Sequence, residues 1–364
     1  MIPAGAVPWV NALNERSVAG YKIGECVGAG TFGMVFAVVR EDTGAAFAMK
    51  VHPANTDSFS AAEFENEGLL LGKLIKCSNV INIVDSGEEA IPMLTGPSPM
   101  QVEIPVPIKY IVMTIASGNL EEITGDPARL ATLAWEERIS LWRSAIKGVH
   151  QMHLKSVAHR DLKSSNCLVV VQGNRSEIRL ADLGRSKAFT LAHSMPPQAY
   201  LAGRGDRRFA PPEYLWHQGG YRSEDFRRAD LYGLGSLFAE LVVGHPMTAL
   251  AVGSWQDAVA EGQRDFATGY RRDLSVLRPQ FRRTIAEIGD QLPRAIRHDG
   301  IALLALLCDP LPQARVPTRD RSRKCHPEIG LHWLLRRVDI LSKRLHIDTR
   351  RCSYGKTINK NRSA

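Results

Sequence analysis

Gly28-Ala29-Gly30-Thr31-Phe32-Gly33-Met34-Val35-Phe36-Ala37-Val38-Val39 places three glycines at G-x-G-x-x-G spacing, and the residues after them show what the glycines serve. A dinucleotide-binding turn uses the same glycines but must open a helix. Here the following residues, Met34 to Val39, are strand formers. The stretch therefore reads as a β-hairpin whose turn folds over phosphate oxygens, with glycine letting backbone amides come close. A plain flexible hairpin turn is the competing reading for the motif taken alone.

Around this hairpin, Tyr21 to Lys50 reads as strands, with Asp42-Thr43-Gly44 as a second turn signal. After a polar break, Ala61 to Ile75 becomes helical. Phe64, Leu71, Leu74 and Ile75 fall near a 3.6 period, and Glu63, Glu65 and Glu67 sit in early turns, where a helix dipole favours anions. Val80–Asp85 and Lys109–Ile115 are strand-like. The stretch between them, with Pro92, Pro97, Pro99, Pro105 and Pro107, predicts a surface loop.

Beyond Gly118 the period turns helical, most clearly over Trp135–Leu154, where Ile139, Trp142, Ile146, Val149 and Met152 share one face. Short strands, Cys167–Val171 and Ile178–Leu180, flank the turn Gly173-Asn174. Arg222–Val243, Ile301–Cys308 and Ile329–Leu345 are further helices. A small β-rich part should meet a larger helical part near Ala116–Leu120.

Composition narrows the class. The chain has 364 residues, 44% hydrophobic and 23% charged, enough to bury a large core in two parts. Its 30 glycines and 20 prolines dominate nothing, which excludes collagenous and wholly disordered readings. The longest apolar run, Ile301 to Cys308, is far short of the roughly 18 residues a membrane span needs. No secretory signal is legible at the N-terminus. Six cysteines without a C-x-x-C pair argue against a disulfide framework or zinc site, so a reducing, cytoplasmic setting is expected. The net charge of +8 is lopsided: from Arg315 onward 14 Lys/Arg face 4 Asp/Glu, leaving the preceding chain at −2.

The chemistry-bearing motifs follow in order. Phe47-Ala48-Met49-Lys50 puts a lysine in an apolar strand, where burial demands an anionic partner, and Glu67 is the candidate, with Glu65 its rival. Then come His159-Arg160-Asp161-Leu162-Lys163-Ser164-Ser165-Asn166, Asp182-Leu183-Gly184, Pro211-Pro212-Glu213 and Asp230-Leu231-Tyr232-Gly233-Leu234-Gly235. This ordered set resembles the protein kinase family, in its eukaryotic-like Ser/Thr form, over roughly Tyr21 to Thr318.

The resemblance implies an α+β, bilobal protein-kinase-like fold with a small β-rich N-lobe and a larger helical C-lobe. Its parts would be an N-terminal extension (1–20), the N-lobe (21–116), the C-lobe (117–318), and a basic C-terminal helix and tail (319–364). It implies ATP and Mg2+ as cofactors, with Mn2+ the alternative metal. Lys50, held by Glu67, would grip the α- and β-phosphates. Asn166 and Asp182 would be the metal ligands, Asp161 the carboxylate that takes the hydroxyl proton, and Lys163 the neutraliser of the γ-phosphate, a mark of Ser/Thr rather than Tyr substrates. Gly28, Gly30 and Gly33 would cover the phosphates. Val27, Val35, Ala48 and Leu168 would sandwich the adenine, with Met113 as gatekeeper and Thr114 to Ala116 as hinge. As residues alone, these apolar positions read equally well as core.

The resemblance also implies a buried pair between Glu213 and Arg315, and an Asp230 that caps the backbone of the catalytic loop. Arg160 would clamp a phosphate on the loop between Asp182 and Glu213, with Ser186, Thr190, Ser194 and Tyr200 as acceptors. A constitutively ordered loop is the alternative. Departures are Leu183 for Phe, Pro211 for Ala, and Gly205-Asp206 where Gly-Thr is usual. Asp206 adds an anion near Asp161, and pairing with Lys163 is expected. The tail reads as a solvated basic helix, its stripe Leu331, Leu334, Leu335, Val338, Leu341 and Leu345 packed on the large lobe. An acidic partner or nucleic acid is the functional alternative. Cys325, His326 and His332 lack zinc-site spacing. The expected function is transfer of the ATP γ-phosphate to protein Ser/Thr hydroxyls, with autophosphorylation. A nucleotide-binding pseudokinase scaffold is the alternative, and a small-molecule kinase is disfavoured by the Pro-Glu element and Lys163.

Overall fold

The computed structural model describes residues 6–30, 33–53, 58–95, 102–173, 175–191, 200–203, 205–317 and 330–362. Thr31, Phe32, Pro97, Pro99, Asn174, Ser194, Cys325 and His326 therefore lie outside the described residues. The chain divides into two compact units: Met1–Ser117 with Ala181–Ser186, and Gly118–Leu180 with Lys187–Ala364.

The first unit opens with α1 (Val7–Leu13), β1 (Ser17–Val18), β2 (Tyr21–Gly30), β3 (Gly33–Arg40) and β4 (Ala46–Pro53). It continues with α2 (Ser58–Lys73), β5 (Ile83–Thr95) and β6 (Val102–Thr114). Six antiparallel strands run in the order β1-β2-β3-β4-β6-β5. Because side chains alternate with period two, the register Phe36↔Met49↔Val112 and Val51↔Tyr110 sends one set of residues into a core shared with Leu13 and Val18. The chain before Tyr21 thus closes this core: α1 lays Trp9 and Val10 against it.

The loop expected between Val80–Asp85 and Lys109–Ile115 is instead a long hairpin in which Pro92 faces Pro105 and Ala90 faces Pro107. Opposed antiparallel residues alternate between pairs that exchange N–H···O bonds and pairs whose N–H groups point away from each other. A Pro–Pro pair can only be of the second kind, and Pro107, two residues on, shares that phase. The prolines therefore cost the hairpin no bond, and Ile91, Val106 and Ile108 fill the core. Proline content alone misled the expectation.

The helix expected over Ala61–Ile75 is α2, begun three residues earlier at Ser58 and ended two earlier at Lys73. Its buried face is Phe64, Glu67, Leu70 and Leu71, whereas Ile75 lies beyond it and is exposed.

The second unit comprises β7 (Gly118–Asn119), α3 (Glu121–Thr124), α4 (Pro127–Thr132), α5 (Trp135–Leu154), β8 (Val157–Ala158), β9 (Cys167–Gln172), β10 (Arg175–Leu180) and β11 (Lys187–Ala188). After these come α6 (Pro212–Leu215), α7 (Ser223–Val243), α8 (Met247–Ala251), α9 (Trp255–Thr268), α10 (Arg278–Asp290), α11 (Arg297–Leu307) and α12 (His332–Arg362). The five residues assigned to one face of α5 are all buried, and the Trp142 ring stacks on Phe238 of α7 with centroids 4.2 Å apart. Its indole N–H donates to Leu234 O at 2.8 Å. Sequence periodicity marked no helix between α7 and α11. Yet α8, α9 and α10 occupy that stretch, α9 burying little more than Ala258 and Gly262.

The C-terminal stripe behaves as expected: Leu331, Leu334, Val338, Leu341 and Leu345 are buried and α12 packs along α5, while Leu335 is only half-buried. Arg143 pairs with Asp339 at 2.6 Å, and the Leu331 N–H donates to His150 Nδ1 at 3.0 Å. Among the described residues no helix is long and apolar enough to cross a membrane.

Candidate active site

In the first unit, strand register does most of the positioning. Val35 faces Lys50 and Ala48 faces Met113, so these four residues share the sheet face opposite the core. Gly28 faces Val35, and Gly30 faces Gly33 where the first hairpin closes. Gly33 has φ +128°, and a Cβ there would sit 2.5 Å from Val51 O, so only glycine fits. Val27 is mostly exposed on β2, Thr114 ends β6, and Ala116 follows it.

Lys50 lies on this face, buried, with its ammonium 2.5 Å from Glu67 Oε2 and 3.2 Å from Asp182 Oδ1. Burial opposes the charge, but the two carboxylates outweigh it and hold the lysine proton above its ordinary range. Glu65, the rival, pairs instead with Lys109 at the surface. Asp182 sits at φ +57°, a strained value for a residue other than glycine. The segment around it is tied down by a residue the sequence did not single out. Asn66, beside Glu67 on α2, donates through Nδ2 to the carbonyls of Gly184 (2.8 Å) and Ser186 (3.0 Å).

In the second unit the loop His159–Asn166 is organised by Asp230, buried on α7. Its carboxylate accepts the N–H of His159 at 2.9 Å and of Arg160 at 2.7 Å, and lies 2.8 Å from His153 Nε2. The expected cap is therefore present. The His153 contact was not anticipated, since a histidine on a buried helix face carries no signal of its own. Asn166 Nδ2 donates to Asp161 O at 2.8 Å, which turns the amide oxygen away from that contact. Lys163 Nζ is 3.9 Å from Asp161 Oδ2. Leu168 is half-buried on β9, facing Asn119. Glu213 and Arg315 form the expected buried pair, with two bonds of 2.7 Å.

Two expectations need correction. Asp206 does not pair with Lys163: its carboxylate is held by Arg208, with the guanidinium at 2.6 Å and the Arg208 N–H at 2.9 Å. Half-buried, it loses water, but Arg208 still holds its carboxyl below the usual range. A residue two positions away closes this turn at less entropic cost than Lys163 would. The Asp206 contact with Asp161 is a backbone one, N–H to Oδ1 at 3.3 Å. Second, two named phosphate acceptors are inaccessible: Ser186 and Tyr200 are buried. Arg160 lies over the rings of Tyr200 (5.0 Å) and Phe226 (4.6 Å). Thr190 is exposed and keeps the role open.

Close to this loop lies a carboxylate with no counterpart in the sequence reading. Glu240 on α7 is buried, accepts the Thr124 hydroxyl at 2.8 Å through Oε1, and leaves Oε2 without a hydrogen-bond partner. Burial pushes its carboxyl up to about 7. Its folded pKa exceeds the unfolded one, so its contribution is full below the unfolded pKa and is lost as pH rises through about 7. Glu240→Gln should remove roughly 3 kcal/mol of pH dependence between pH 5 and 8 and raise stability at pH 8. Denaturation at both pH values checks it; an unchanged slope would mean that Glu240 ionises normally.

A β-sheet bearing a caged lysine, and a helical unit bearing an Asp-capped H-R-D-L-K-x-x-N loop, are features of the protein kinase fold. Residues 21–319 match the family described as Protein kinase domain, and the chain belongs to that family. It is 25% identical over 223 residues to cyclin-dependent kinase 9 of Xenopus tropicalis, covering 61% of this chain and 55% of that protein. The serine/threonine-protein kinase bur1 of Neurospora crassa is 25% identical over 240 residues, covering 63% of this chain and 40% of its own. Cysteine-rich receptor-like protein kinase 14 of Arabidopsis thaliana is 29% identical over 224 residues, 60% of this chain and 29% of that one. The chain thus spans about half or less of these relatives.

Proposed function

We propose that the protein is an active Ser/Thr protein kinase that transfers the γ-phosphate of ATP to protein hydroxyls, its own included. The observation that carries this reading is the buried lysine cage, Lys50 between Glu67 and Asp182. A cation kept charged in a sheet face otherwise lined by Val35, Ala48 and Met113 suits a phosphate. Asp182 and Asn166 offer hard oxygen donors, the chemistry Mg2+ selects, and the metal would neutralise phosphate charge when bound. Asp161 would orient the substrate hydroxyl and accept its proton, while Lys163 would face the transferred phosphate. Val27, Gly28, Gly30, Gly33, Leu168 and the segment Thr114–Ala116 would bind the rest of the nucleotide. Residues 21–116 and 117–318 serve in this reading as the two lobes, 1–20 as an extension and 319–364 as a basic helix and tail.

Among the described residues Cys26, Cys77, Cys167 and Cys308 form no disulfide, in keeping with the reducing, cytoplasmic setting proposed here. Arg336, Lys343 and Arg350, exposed on α12, are where an acidic partner or nucleic acid would bind.

The test is incubation of the purified chain with MgATP and a mixed Ser/Thr peptide acceptor, followed by mass spectrometric mapping. Phosphoserine or phosphothreonine is expected, with Thr190 among the sites modified on the protein itself. Nucleotide binding without transfer would instead favour a scaffold.

A further inference from the structure

A cavity of about 930 Å3 opens in the helical unit beside the turn that follows α6. Its size is at the upper end for a ligand site and suits a short stretch of polypeptide. The wall is stiff. His217 sits at φ +54°, Gln218 N–H donates to Glu213 O at 2.7 Å, and Gly219 N–H donates to Leu201 O at 2.9 Å. A Cβ at Gly219 would lie 2.6 Å from Leu201 O, and one at Gly220 only 1.9 Å from Asp225 Oδ2. His217 also keeps a buried Nε2 without a hydrogen-bond partner. Strain and an unsatisfied polar atom in one turn are costs the fold itself does not recover.

The lining departs from ordinary surface in two ways. Only four Phe, Tyr or Trp side chains are exposed among the described residues, and three of them, Tyr221, Phe266 and Tyr270, are 45%, 51% and 60% exposed around this cavity. The charges are unbalanced as well. Of the lining carboxylates, Glu213 is spent on Arg315, Asp225 accepts the Arg222 N–H, and Asp273 accepts from Ser275. Arg272 is engaged by Asp265 and Glu261. Arg222 and Arg271, both exposed, have no carboxylate partner among the described residues.

We propose that this cavity is a docking site for an acidic, apolar segment of a partner protein. Arg222 and Arg271 take its carboxylates in bidentate fashion, and Tyr221, Phe266 and Tyr270 take its apolar side chains. Aromatic rings beside arginines also suit single-stranded nucleic acid, but that ligand needs a cationic groove tracking several phosphates. Two uncommitted cations in a concavity that also holds three carboxylates fit a peptide better. If the partner is a protein substrate, the inference rests on the kinase reading for that word alone.

The test uses the full chain without nucleotide and a fluorescein-labelled (Asp-Phe-Glu-Leu)3 peptide, read by fluorescence anisotropy. Saturable binding is expected, weakened at least tenfold by Arg222→Glu with Arg271→Glu, and likewise by Phe266→Ser with Tyr270→Ser. These side chains are exposed, and unchanged melting of the variants checks the fold. Arg282→Glu with Arg283→Glu, exposed on α10 and away from the cavity, changes the net charge equally and should leave affinity intact. Equal weakening by the α10 variant would reduce the effect to general charge attraction and overturn the proposal. So would absence of saturable binding, or tighter binding of a dodecathymidylate to the same arginines. Because no transfer is measured, a failure here and a failure of the kinase reading are separate results.

Discussion

Asp161→Asn is expected to lower phosphoryl transfer by ~10²–10⁴-fold, the range that a positioned acid–base group supplies, while leaving thermal unfolding and nucleotide binding unchanged. The substitution removes the charge and basicity of the carboxylate but keeps an oxygen where Asp206 N–H donates, at 3.3 Å. The carboxylate lies 3.9 Å from the Lys163 ammonium, a long contact of modest energy. The loop is held by other bonds, those from His159 and Arg160 to Asp230 and from Asn166 to Asp161 O. Steady-state transfer to a peptide, with melting curves alongside, checks the prediction; wild-type turnover would remove Asp161 from its role. Lys50→Met is a poorer probe than the sequence alone suggests. It leaves the Glu67 carboxylate, 1% exposed, without its cation, so lost transfer could reflect lost folding.

Arg315→Met should destabilise the helical unit by about 3–5 kcal/mol, the cost of stranding one member of a buried ion pair. The guanidinium is fully buried, bonded twice to Glu213, once to Asp309 O at 2.8 Å, and lies over the Tyr232 ring at 4.9 Å. Removing it leaves a charge with nothing opposite and two carbonyls, of Asp309 and Arg228, short of a donor. Adding Glu213→Gln should recover a large part of the loss, since the neutral pair no longer holds an isolated charge. Urea denaturation of the two variants measures this. A cost for Arg315→Met below about 1 kcal/mol would place the pair among surface-like contacts.

Much of this architecture was legible because its signals are local. Met34–Val39 excludes a helix after the glycines, and Trp135–Leu154 matches α5 end to end. Lys50 could be assigned a carboxylate partner because an unpaired ammonium in an apolar strand is too costly. What was not legible depends on geometry between distant residues. Proline count predicted a loop where phase within a ladder allowed strands, and no composition encodes that phase. Helices α9 and α10 are an exception: both are strongly amphipathic at the helical period, α10 burying Phe281, Thr284, Ile285 and Ile288 on one face, and this local signal went unread. Asp206 was assigned to Lys163 by analogy with a hydroxyl, whereas a carboxylate at that turn captures the nearby Arg208. Glu240 was invisible, because nothing local separates a buried glutamate from a solvated one.

The β5–β6 hairpin has a further consequence. β4 stops opposite Ile108, so no described strand pairs with the outer side of Val102–Pro107. Such a stretch is ordinarily a template on which another chain can add a strand and begin to aggregate. At Pro105 and Pro107 the backbone nitrogens directed to that side carry no hydrogen, and Pro92 does the same for the opposite rim of the hairpin. A recruited strand would find acceptors but too few donors to form a ladder. The same phase that lets prolines sit in this sheet therefore ends its growth, keeping the protruding ribbon from polymerising.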